Sequence, residues 1–167
     1  NLAGKTADKT IDAANRVVTP GFIDVHTHVE GAVELNPMGA NYLLDGVTTI
    51  VTGNCGTSRV DVANFFAAVT EARTGVNVAT LLGQGSIRGQ VMGGSFLRPP
   101  TAEELGRMRD LVDQGMKEGA LGLSTGLIYL PGTFTKTEEL IDLARVAGRH
   151  GGLYVSHMRA ETVKIFE

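Results

Sequence analysis

Val47-Thr48-Thr49-Ile50-Val51-Thr52 consists only of β-branched residues, the composition of a strand covered on both faces and hence of a parallel sheet. Upstream, Pro20-Gly21 signals a turn. Phe22 to His28 then reads as a strand, and residues 36–45 suggest a short helix. Downstream, residues 61–73 read as a helix with Asp61 as N-cap, and Val76 to Leu82 as a third buried strand. Gly83 to Pro100 is expected to be a loop because glycine recurs too often for regular structure. Thr101 with Glu104 forms a capping box. The helix it opens puts Leu105, Met108, Leu111, Val112 and Met116 on one face. Ala120 to Ser124 is a short fourth strand. Thr135 with Glu138 repeats the capping box ahead of a helix whose inward stripe is Leu140, Leu143, Ala144 and Ala147. His150 reads as a C-cap at its end, and Leu153 to His157 as a fifth strand.

Strand and helix alternate without a hairpin signal, so crossover helices join parallel strands in an α/β fold. A doubly wound sheet and a (β/α) barrel both satisfy the pattern. Five strands in 167 residues match the spacing of a (β/α)8 TIM-type barrel of about 250 residues cut short. Residues 17–167 are therefore expected to be the N-terminal part of a barrel. Residues 1–16, with Ile11-Asp12-Ala13 as a possible strand, are expected to be a linker or the end of a small β domain. The chain opens without Met or a charged-then-apolar leader and closes on Val163-Lys164-Ile165-Phe166-Glu167, which reads as the first turn of a helix. A piece of a longer protein is the expectation.

Composition narrows the function. With 43% hydrophobic and 20% charged residues the chain is an ordinary globular one. A net charge of -3 gives no electrostatic case for nucleic acid. No polybasic patch or apolar run of roughly 18 residues points to a membrane. The single cysteine, Cys55, excludes an internal disulfide and suits a reducing compartment, so the expected location is cytoplasmic. The glycine-rich stretch 83–100 carries neither nucleotide-binding glycine pattern.

The chemistry lies at the ends of the strands. His26 and His28 alternate with Thr27, so both imidazoles face one way, about 7 Å apart at a rise of about 3.3 Å per residue, and can share a metal ion. Asp24 lies one pleat deeper on that face, where a carboxylate could orient a ligand. Chance on a half-exposed strand explains a lone His-x-His equally well. Cys55 follows the second strand in Gly53-Asn54-Cys55-Gly56, on the edge where parallel sheets place their sites. A thiolate there is a strong zinc ligand, whereas most lone cysteines are small buried hydrophobes. His157 closes the fifth strand on the same edge. Agreement of three strand ends carries more weight than any one of them.

Val18-Thr19-Pro20-Gly21-Phe22-Ile23-Asp24-Val25-His26-Thr27-His28 resembles the first-strand signature of the amidohydrolase superfamily. Gly46 to Gly56, Gly122 to Gly132 and Val155-Ser156-His157-Met158-Arg159 resemble the D-aminoacylases, which deacylate N-acyl-D-amino acids. The likeness runs from about residue 11 onward. It implies a zinc-dependent hydrolase with one or two ions, in which His26 and His28 serve one subsite. Cys55 serves a tighter subsite and bridges to the other, and His157 belongs to the tighter one. It further implies a histidine after a sixth strand and a general-base aspartate after an eighth, both beyond Glu167, so these 167 residues alone are expected to be inactive. Tyr129 and Arg159, in loops after the fourth and fifth strands, are candidates for the substrate carbonyl and carboxylate, with loop packing and a surface role as the plain alternatives. Gln84 stands where the family often has histidine. A hydantoinase- or dihydroorotase-like cyclic-amide hydrolase would need a lysine after the fourth strand, where Ser124 stands. A non-catalytic metal-binding barrel and a doubly wound binding domain are the remaining readings.

Overall fold

The computed structural model describes residues 4–162 and 165. The helical turn expected over 163–167 lies outside the described residues apart from Ile165. Among the described residues, six strands and five α-helices follow in the order β1 (Phe22–Asp24), α1 (Ala40–Leu44), β2 (Val47–Thr52), α2 (Val62–Ala72), β3 (Asn77–Thr80), β4 (Leu82–Gly83), α3 (Gln84–Met92), α4 (Ala102–Lys117), β5 (Gly122–Gly126), α5 (Thr137–Arg149) and β6 (Leu153–His157). All pairings are parallel, in the orders β1-β2-β3 and β4-β5-β6. One continuous expected strand, Val76 to Leu82, is thus broken at Leu81, so that its first part pairs with β2 and its last with β5. The break is bridged: the Leu81 amide donates to Thr52 O at 2.9 Å, and the Leu121 amide to Thr80 O at 2.9 Å.

The core lies between β4-β5 and the helices α2 to α5, with Val62, Leu82, Ile87, Met108, Val112, Leu123, Leu143 and Val146 buried. Each side chain of this kind contributes about 1.5–3 kcal/mol when fully buried. Two helix starts behave as their sequences indicate. Asp61 accepts from the Asn64 amide at 3.0 Å, and Thr101 and Glu104 form the reciprocal capping box. His150 is the C-cap of α5, and its Nε2 lies 2.8 Å from Asp113 Oδ1. Among the described residues no helix is long and apolar enough to cross a membrane.

Several expectations need correction. Ile11 to Ala13 form no strand. β1 ends at Asp24, so His26 and His28 follow the strand; alternation nevertheless continues, with Thr27 buried and both histidines exposed. Thr27 donates to Val51 O through its amide and its hydroxyl, each at 3.0 Å. The expected loop after Gly83 instead contains α3. It is anchored by Ile87 and Met92 in the apolar core and by a buried polar cluster that glycine counting could not reveal. Arg88, fully buried, pairs with Glu139 and donates to Phe96 O at 2.9 Å and Arg98 O at 2.7 Å. Gln84 Nε2 joins the cluster, donating to Thr135 Oγ1 at 3.0 Å and Glu139 Oε1 at 2.8 Å. Thr135 is therefore no N-cap; α5 starts two residues later without a side-chain cap.

Removing one partner of a buried ion pair strands the other charge, typically at about 3–5 kcal/mol. Glu139→Ala is expected to destabilise by that much in urea denaturation; a change under about 1 kcal/mol would show that Arg88 finds other partners. A second prediction concerns α4. Arg98 and the Thr101 backbone hold the Glu104 carboxyl at about 2, below its ordinary 4.5. The folded state thus prefers the ionised form, and the contribution is full above pH 4.5 and fades as pH falls towards 2. Glu104→Gln is expected to flatten the pH dependence of the unfolding midpoint within that window.

Candidate metal centre

β1, β2 and β6 deliver their following residues to one edge of the sheet. Cys55 reaches this edge on a turn in which Gly53 (φ +78°), Cys55 (φ +53°) and Gly56 (φ +77°) all take the left-handed conformation. For an L residue such as Cys55 that conformation costs about 1–2 kcal/mol, so the surrounding contacts must impose it. Gly53 is fixed by position as well as by φ: a Cβ there would lie 2.1 Å from Leu81 O. The turn lies flat against β5, since a Cβ on Gly126 would come within 2.1 Å of Cys55 O.

Hydrogen bonds hold this turn from several sides. Glu30 Oε1 accepts from the Gly53 amide at 2.6 Å. Asn54, buried, donates from Nδ2 to Val51 O at 3.1 Å and Val25 O at 3.3 Å. Ser124 Oγ donates to Gly53 O and accepts from the Gly56 amide at 3.1 Å. The Ser86 amide donates to Gly56 O at 3.0 Å. None of these roles is visible in a motif, because all but the Asn54–Val51 bond join residues more than twenty positions apart in the chain.

The Cys55 sulfur lies 3.4 Å from His26 Nε2 and 3.5 Å from His157 Nδ1. Ligand atoms of His26, His28 and Cys55 all fall within 4.8 Å of one another. The His26 and His28 rings meet edge-on, with centroids 5.3 Å apart. Sequence reasoning selected these four residues, and the structure gathers them about one sulfur. The His26, His28 and Cys55 donors are of the kinds a zinc-type ion takes, and His157 adds a further nitrogen beside the sulfur. With Zn–N of about 2.0–2.1 Å and Zn–S of about 2.3 Å, neighbouring N and S ligands stand about 3.5 Å apart. Burial pushes the Cys55 thiol up, so metal uptake entails loss of its proton.

Outer contacts set the histidine. His157 Nε2 faces Glu161 Oε1 at 2.7 Å, and its Nδ1 faces Cys55. A proton on Nε2 that donates to the carboxylate leaves Nδ1 free as a ligand, a pairing metal-binding histidines commonly use. Glu161 was not singled out from the sequence, although its i+4 spacing from His157 was available as a signal. Asp24 does not orient an imidazole; its Oδ1 accepts from the His26 backbone amide at 3.1 Å. Together with burial, which is the larger cause, Asp24 pushes the Tyr42 phenol up.

The exposed Tyr129 ring stands edge-on to His157, with centroids 4.8 Å apart. A cavity of about 200 Å³ opens beside it, lined by Cys55, Ser86, Tyr129 and Gly132 among others. Arg159 Nη2 donates to Thr135 O at 2.6 Å, and its Nη1 reaches Thr133 O at 3.5 Å. Gln84, at the position where histidine was a family expectation, is fully buried in the Arg88–Glu139 cluster.

The model of the amidohydrolase family matches residues 9–160. The D-aminoacylase of Alcaligenes xylosoxydans xylosoxydans is 34% identical over 96% of this chain and 38% of its own length. The zinc- and phosphonate-complexed N-acyl-D-glutamate deacylase of Bordetella bronchiseptica superposes with a TM-score of 0.91 at 35% identity, covering 96% of this chain and 38% of that one. A D-aminoacylase structure described for its binuclear metal centre gives a TM-score of 0.89 at 34% identity, over 96% and 39% respectively. The chain thus spans under two fifths of the length of these relatives.

The Glu161 contact makes a prediction for the metal-free protein. Ring ¹⁵N shifts are expected to report His157 as the Nε2–H tautomer, and Glu161→Ala is expected to mix the tautomers. An Nδ1–H ring in the unsubstituted protein would contradict the assignment.

Proposed function

This chain belongs to the amidohydrolase family, and from that premise we propose that the whole protein is a zinc-dependent deacylase. It would hydrolyse the amide bond of N-acyl-D-amino acids to a carboxylate and a free D-amino acid. The observation that carries this reading is the Cys55 sulfur within 3.5 Å of both His26 Nε2 and His157 Nδ1. We assign His26, His28, Cys55 and His157 to one or two zinc ions. Zinc bound there supplies a Lewis acid for the amide carbonyl and a means of activating water near neutral pH.

The remaining residues have supporting parts. Tyr129 is assigned to the carbonyl oxygen, because its exposed phenol borders the cavity beside Cys55. Arg159 is assigned to the substrate carboxylate; the carbonyls of Thr133 and Thr135 anchor its guanidinium, and a guanidinium has further N–H groups to offer. The general base is assigned to the aspartate that the family resemblance expects after an eighth strand. Apolar side chains exposed along the two outer strands, Phe22 and Ile23 on β1 and Leu153 and Tyr154 on β6, support placing the sheet within a larger (β/α)8 barrel. A cytoplasmic location agrees with a reduced Cys55.

The cyclic-amide reading is weaker, since Ser124 stands where its lysine was expected; β5 runs from Gly122 to Gly126, two residues later than the strand read from Ala120 to Ser124, so Ser124 lies mid-strand, buried beneath the Cys55 turn.

Metal analysis of the full-length protein, with turnover of N-acetyl-D- and N-acetyl-L-amino acids, tests the proposal. Zinc at one or two equivalents and preference for the D series are expected. Cys55→Ala is expected to lose zinc affinity and turnover by more than about 100-fold, beyond the effect of removing an outer contact. Unchanged zinc and turnover in that variant would take Cys55 out of the centre. The 167 residues alone are expected to show no deacylase turnover.

A further inference from the structure

We propose that Ser124 is a positioning residue of the metal centre, its buried hydroxyl clamping both ends of the turn that aims the Cys55 sulfur. The proposal rests on the metal-centre reading above and adds a function to a residue outside the ligand set.

Ser124 lies in β5 and is fully buried. A hydroxyl has one proton to give and lone pairs to accept with, and both capacities are directed at the turn. The proton goes to Gly53 O, and a lone pair takes the Gly56 amide at 3.1 Å. Those two groups bracket Cys55, from two residues before it to one residue after. The other fasteners each act at one place: Glu30 on the Gly53 amide, Asn54 on the strands beneath, and the Ser86 amide on Gly56 O. Among the side chains of the described residues, Ser124 is the one that joins the entry and the exit of the turn, reinforcing the backbone bond from the Thr57 amide to Asn54 O at 3.1 Å. A short side chain is needed, because the turn packs onto the backbone of β5 itself. Thr125, the next residue, is also a buried hydroxyl, but it pairs with Tyr154 and Ser156 and makes no hydrogen bond to the turn. It provides a matched control for the loss of a buried hydroxyl.

The test uses the full-length protein with cobalt(II) as the probe, read by the thiolate-to-cobalt charge-transfer band. Ser124→Ala is expected to weaken cobalt binding about 10- to 100-fold and to shift or diminish the band, while far-ultraviolet circular dichroism stays unchanged. Ser124→Thr, which keeps the hydroxyl, is expected to recover most of the affinity. Thr125→Ala is expected to leave affinity and band as they are. Wild-type affinity and band in Ser124→Ala would overturn the proposal, and so would an equal loss in Thr125→Ala, which would mark a general structural effect. Should Ser124→Ala not fold, hydrogen exchange at the Gly56 amide of the unsubstituted protein decides: strong protection supports the clamp, and exchange at an open-loop rate overturns it. Absence of the charge-transfer band from the unsubstituted protein would overturn the metal-centre reading and the role of Ser124 with it. A band present but indifferent to Ser124→Ala would overturn the role of Ser124 alone.

Discussion

Convergence on the Cys55 sulfur constrains more of this structure than any other contact. His26 and His157 stand 29 and 102 residues away in the chain, yet both bring a ring nitrogen to within 3.5 Å of that atom. Parallel strands make this possible by releasing all their C-terminal ends along one edge. Parallel pairing is not sufficient, however. β2 and β6 are three strand spacings apart in the ladder, which in a flat sheet would be about 14 Å at about 4.8 Å per spacing. Side-chain reach, the inward turn at Cys55 and curling of the sheet must together close that gap. The break at Leu81, where pairing passes from β2 to β5, lies between the two halves of the ladder.

Much of the framework was legible because it depends on neighbours in sequence. β2 and β6 coincide with the strands read from Val47 to Thr52 and from Leu153 to His157. Asp61 and Thr101 cap their helices through bonds that span three residues. The proximity of His26, His28, Cys55 and His157 was legible for a related reason: strand order fixes which ends share an edge. Illegible features all depend on contacts between distant parts of the chain. Nothing near Gln84 announces that Glu139 and Thr135 will meet it, so the glycines around it suggested a loop where a helix forms. Thr135 likewise carries a capping signature, but its hydroxyl is taken by Gln84. Ser124 and Glu30 act on backbone groups, which no side-chain motif encodes.

The Arg88–Glu139 pair illustrates what such contacts accomplish. Buried ion pairs are poor sources of net stability, because desolvation offsets the attraction. This one is better understood through what it joins. Glu139 anchors α5, Gln84 and Arg88 anchor α3, and the guanidinium also gathers the carbonyls of Phe96 and Arg98. The two helices and the segment after α3 thus become a single wall beside the sheet. Gln84 directly follows β4, so the wall begins where that strand ends. Thr135, in the same cluster, offers its carbonyl to Arg159, which extends the order from the wall to the loop after β6.

Cysteine in the proposed role of shared ligand would place its own demand on the backbone. A lysine can reach an ion from a strand end through four methylenes, so its backbone remains regular. Cysteine has a single methylene, and the main chain must carry the sulfur the rest of the way. That requirement accounts for the left-handed turn, for glycine on either side of the Asn54-Cys55 pair, and for the number of hydrogen bonds spent on so short a segment. It also accounts for the residue opposite. With the sulfur carried on the turn after β2, a long side chain at position 124 in the middle of β5 would collide with that turn, and a hydroxyl that can bond the turn is the complementary choice. Cys55 and Ser124 are in this sense two halves of one arrangement, with the position of the sulfur decided as much by β5 as by the strand that bears it.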